Sequence, residues 1–104
     1  MILYNVTVKI DPDIQEDWLR WMQGTHIPDV MSTGLFLEYR LNRLVGLDES
    51  DGITYAVQYA CNDMATMHRY QVQHAPRLQE EHTSRYQGKF VAFRTLMEVI
   101  DQSR

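Results

Sequence analysis

The chain has 104 residues, a formal net charge of −4 and one cysteine, Cys61. That excludes an internal disulfide and a cysteine-cluster zinc site, and the acidic balance argues against a nucleic-acid surface. At this length a single domain spanning residues 1–104 is expected, large enough to bury a core without staples. No apolar run approaches the ~20 residues of a membrane span, and the opening MILYNVTVKI turns polar too soon for a secretion signal, so a cytoplasmic protein is expected.

Residues 2–10 alternate, with Ile2, Tyr4, Val6, Val8 and Ile10 on one side and Leu3, Asn5, Thr7 and Lys9 on the other, which predicts a half-buried strand. Asp11-Pro12-Asp13 breaks it and opens a helix in which Ile14, Trp18, Trp21 and Met22 share a face. Gly24-Thr25 predicts an interruption, with Thr25 capping a second short turn from His26 to Ser32 before Gly34. Alternation returns over 35–46 and again over 53–61, around the acidic turn LDESDG, which predicts a hairpin. Asn62 is the expected cap of a second long helix, which Pro76 should kink or split. A last strand is expected from Phe90 to Ile100.

The order βαββαβ, with right-handed crossovers, predicts an α+β ferredoxin-like fold: a four-stranded antiparallel sheet with two helices on one face. The cleaner apolar faces, Tyr4/Val6/Val8, Leu37/Tyr39/Leu41, Tyr55/Val57/Tyr59 and Phe93/Met97, are expected to meet the helices. The opposite face then carries Leu3, Asn5, Thr7, Phe36, Glu38, Arg40, Gln58, Phe90, Arg94, Leu96 and Glu98. Such a mixed face suits a twofold dimer, with Phe36, Phe90 and Leu96 as anchors and Glu38, Arg40 and Arg94 as polar partners.

Four stretches, MILYNVTV, WLRWMQGTHIPDVMSTGLF, DESDGITYAVQY and GKFVAFRTLMEV, resemble a family of short bacterial proteins catalogued as a domain of unknown function. More distantly, His26-Ile27-Pro28 followed by Gly34 before the second strand is similar to the dimeric α/β-barrel superfamily. That resemblance implies protomers packed sheet to sheet. It also spans cofactor-independent monooxygenases, isomerases, haem-degrading enzymes and ligand binders, among which fold alone does not choose.

His26 is the candidate catalytic residue, since an imidazole near its ordinary pKa of about 6.5 can move protons at neutral pH. The competing role is a packing histidine bonded to Asp29 or to backbone. Tyr4, Tyr39, Tyr55, Tyr59, Trp18, Trp21, Met64, Met67 and His74 are candidates to line an apolar ligand cleft between helices and sheet; the competing reading is a filled core. His74 and His82 lie two helical turns apart, roughly 12 Å, too far to share a metal. No metal or cofactor is expected, and Cys61 reads as a buried thiol. The sequence thus points to a dimeric ligand-binding or structural module whose partners are itself and a small organic ligand. The alternative is a cofactor-independent monooxygenase or isomerase acting on an aromatic or polyketide-like substrate.

Overall fold

A computed structural model describes residues 1–103. Strand β1 (Ile2–Ile10) leads through a 3-10 turn at Pro12–Ile14 into α1 (Gln15–Trp21), a π-helical turn (Met22–His26) and α2 (Ile27–Met31). Strands β2 (Glu38–Arg43) and β3 (Ile53–Cys61), helices α3 (Met64–Gln73) and α4 (Ala75–Arg85), and β4 (Phe90–Glu98) follow. The sheet order is β2-β3-β1-β4 with every neighbour antiparallel, so the ferredoxin-like α+β architecture expected from the strand and helix order is present.

The first helical region departs from expectation at its middle. Gly24-Thr25 does not stop the helix, and Thr25 caps nothing. Instead Ile27 N–H donates to the carbonyl of Met22, five residues back, and the helix runs on through one wider turn. That extra residue keeps the fully buried Ile27 and Val30 on the face already used by Trp18 and Met22. A regular α-helix would have rotated them toward solvent. At the second helix the cap is Asp63 rather than Asn62: its carboxylate accepts from Thr66 N–H at 2.8 Å and from the Thr66 hydroxyl at 2.7 Å. The helix then divides at His74, and Pro76 sits in the first turn of α4, where its missing N–H costs nothing.

Register corrects the assignment of faces. Ile10 pairs with Phe90, Val6 with Arg94 and Tyr4 with Leu96, so Phe90, Arg94 and Leu96 share the helix-facing side of the sheet. Phe93 and Met97 lie opposite Thr7 and Leu3 on the outer face. The β4 sequence is apolar on both sides, so alternation could not decide its parity, and pairing with β1 does. Phe36 precedes β2 and turns inward; at 6% exposure it packs on Tyr59 and Tyr70, with ring centroids 5.2 and 4.8 Å away. Glu38 and Arg40, paired with Ala60 and Gln58, are on the outer face as expected and are exposed. Tyr39 faces the helix side, opposite Tyr59, but is half exposed on the edge strand.

Candidate functional site

Between the helices and the sheet a slot-like cleft opens, bounded by Tyr4, Val8, Trp18, His26, Tyr70, His82, Phe90 and Arg94 among others. Counting its mouth it encloses about 510 Å³ of unfilled space, but its interior admits only a few waters. Its histidines, Tyr4 and its one charged side chain come from four elements. The π-helical turn ends on His26, α4 supplies His82 from its inner face, β1 supplies Tyr4, and β4 supplies Arg94.

The two imidazoles meet with ring centroids 5.9 Å apart. Trp21 stacks on His26 at 5.0 Å, and Phe90 meets the His82 ring edge-on at 4.4 Å. The indole Nε1–H of fully buried Trp18 donates to Nε2 of His82 at 2.9 Å. An indole can only donate, so this nitrogen of His82 carries no proton, and the neutral ring holds its proton on Nδ1. Nδ1 of His26 is buried without a hydrogen-bond partner.

Burial pushes His26 down to about 4; the Asp29 charge opposes this and the Arg94 charge adds to it. Burial also pushes His82 down to about 4, helped by the charges of His26 and Arg94. Both rings are therefore neutral at pH 7, as a pair of hydrogen-bonding groups in an apolar setting. Arg94 reaches in from the exposed end, where its Nε–H donates to the Tyr4 hydroxyl at 3.1 Å. Burial raises Tyr59 and Tyr70 well above the ordinary phenol range, so both stay protonated.

The expected site residues divide. His26, Tyr4, Tyr59 and Trp18 line the cleft, whereas Tyr39 and Met64 are half exposed and lie outside it. Tyr55 does not: it is buried against Trp18, and its hydroxyl accepts from Gln15 Nε2 at 2.9 Å. Met67 is fully buried core. His74 lies outside the cleft at the α3–α4 junction, 3.2 Å from an Arg77 nitrogen. Trp21 backs His26 from the surface side, under the Arg85 guanidinium. His26 makes no hydrogen bond to Asp29, which acts on it through charge alone.

His82, Tyr70, Phe90 and Arg94 are among the cleft residues that the sequence reading did not assign there. Their signal was faint. His82 and Leu78 share a helical face, but spacing inside one helix does not reveal that this face meets His26. Cys61 is buried and free, its thiol pushed up by burial, and its sulfur lies 3.5 Å from the carbonyl of Asp63.

A family model described as a domain of unknown function, DUF4286, matches residues 1–100. No curated protein matches the chain. Among solved structures, HapK from Hahella chejuensis superposes with a TM-score of 0.75 at 11% identity, covering 100% of this chain and 97% of its own. An antibiotic biosynthesis monooxygenase gives 0.62 at 17% identity, covering 97% and 100%. A protein from an uncultured marine organism, described as a dimeric ferredoxin-like protein, gives 0.68 at 8% identity, covering 100% and 99%. At these identities the likeness establishes the fold.

Proposed function

The chain belongs to the DUF4286 family, whose description carries no activity, and from its geometry we propose a homodimer that binds a small, largely aromatic molecule in the helix–sheet cleft. The observation that carries this reading is the meeting of His26 and His82 in an apolar slot, with Nδ1 of His26 buried and unpartnered. Buried polar atoms without partners are rare in folded proteins, and one on a residue that lines a cleft suits a ligand that supplies the missing bond.

The dimer rests on the outer sheet face. Val91 and Phe93 are 69% and 63% exposed there, and Met97 continues the patch beside Leu3. An outer face with exposed apolar side chains between polar ones, Thr95 and Asn5 among them, suits a twofold interface. The charged pair Glu38 and Arg40 at the β2 edge then forms its rim. One structural neighbour is itself described as dimeric. Among the described residues no helix is long and apolar enough to cross a membrane. A single buried free thiol suits a reducing cytoplasm.

The enzyme reading draws on His26 as its proton-handling group, with His82 now beside it. A ring held at about 4 is a weak base at neutral pH, below the range in which proton abstraction is efficient. The site is therefore better suited to binding than to general-base chemistry.

Native mass spectrometry of freshly purified protein tests the reading. The expected species is twice the 12.3 kDa protomer, with added mass that leaves on denaturation. A bare monomer overturns it.

A further inference from the structure

Resting on the cleft reading above, we infer that the ligand is an organic anion, an aromatic carboxylate or phenolate, whose charged oxygen is received by Arg94. Three independent observations converge. First, the cleft is lined by no Asp or Glu among the described residues, and Arg94 is the one charged side chain on its wall. Second, the ion pairs among the described residues use Lys9, Arg43, Arg85 and Lys89, and none uses Arg94. Arg20, Arg40, Arg69 and Arg77 also stand outside these ion pairs, but of the unpaired arginines among the described residues only Arg94 lines the cleft. Third, the guanidinium is oriented. Its Nε–H is tied to the Tyr4 hydroxyl at 3.1 Å, while its two Nη groups have no partner among the described residues.

A guanidinium held by one edge presents its remaining donors as a fork, which matches two carboxylate oxygens or one phenolate oxygen. The rest of the wall agrees. Neutral His82 accepts from Trp18 at Nε2 and carries its one N–H on Nδ1, a second donor, and Tyr70 stays protonated. The cleft thus offers donors and a positive charge at its mouth, with Phe90, Trp18 and Val8 behind them. That is complementary to a flat apolar body with one anionic end, and poorly matched to a cation or to a neutral polyol.

The test uses two matched pairs of probes, benzoate against benzamide and 2-naphthoate against 2-naphthamide. Each pair has one shape and differs in charge. Binding is read from the indole N–H signal of Trp18 in two-dimensional NMR, because that proton is bonded to His82 inside the cleft. The expected result is at least tenfold tighter binding of each carboxylate than of its amide. Arg94→Met should erase that preference, Arg94→Lys should keep part of it, and Arg69→Met, an exposed α3 residue outside the cleft, should leave it intact. Equal affinity within each pair, or a preference that survives Arg94→Met, overturns the anion assignment while leaving the cleft as a binding site. If none of the four probes moves the Trp18 signal, the cleft reading itself fails, and the anion assignment with it.

Discussion

The indole nitrogen of Trp18 and Nε2 of His82, 64 positions apart in the chain, are joined at 2.9 Å. This bond links α1 to α4 across the head of the cleft and fixes which nitrogen of His82 bears its proton. Trp18→Phe keeps an aromatic ring in the core but removes the donor. The loss of packing and the orphaned acceptor should together cost roughly 2–4 kcal/mol in urea unfolding. A loss under about 0.5 kcal/mol would mean that the bond contributes nothing to holding the helices together.

The same two histidines predict a pH dependence of stability. Their folded-state pKa values, about 4, lie below the ordinary 6.5, so between these limits the unfolded chain binds protons that the folded chain refuses. Their contribution is complete above pH 6.5 and is lost as the pH falls toward 4. The slope approaches 1.4 kcal/mol per pH unit for each ring inside that window. Urea midpoints should fall between pH 7 and pH 5, and His26→Gln or His82→Gln should each flatten the fall. A wild-type midpoint unchanged over that range would contradict burial of neutral rings.

Two phenylalanines separate the interface from the core. Phe93→Asp alters a side chain that is 63% exposed on the outer face and should yield a folded monomer by sedimentation. Phe36→Asp should instead unfold the chain, at a cost of roughly 4 kcal/mol or more, because it places a charge among Tyr4, Tyr59 and Tyr70. A folded Phe93→Asp dimer would move the interface elsewhere.

The start of α3 offers a smaller contrast. Asp63→Ala removes both bonds to Thr66 and should destabilise the protein by about 1 kcal/mol, whereas Asn62→Ala should be close to neutral. Equal effects by thermal melting would mean that the cap is not fixed at Asp63.

Strand order and helix placement were legible in the sequence because alternation, breaks and crossover handedness all pointed to one topology. What was hidden has specific causes. β4 carries Val91, Phe93 and Met97 on one side and Phe90, Ala92 and Leu96 on the other, so its orientation was settled only by pairing with β1. Gly24-Thr25 looks like a stop because a local reading favours a break, while the buried Ile27 and Val30 reward a helix that continues. In the cleft, His26 stood out beside its helix break, and Tyr4 and Tyr59 followed from strand alternation. His82 and Arg94 did not, since each becomes part of the site only through contacts made across the whole chain.

β1 lies inside the sheet, flanked by β3 and β4, and its opening residue Ile2 pairs with Glu98. The first strand made is therefore completed only by the last. During synthesis the growing chain can form the β2–β3 hairpin and the helices early, yet one edge of β1 stays unpaired until β4 has emerged. Such distant pairings slow folding and leave a strand edge open to wrong partners meanwhile. Shortening the chain before Phe90 would not trim the protein but strand it there. The cleft would go with it, since Phe90 and Arg94 are among the last parts of its wall to be made.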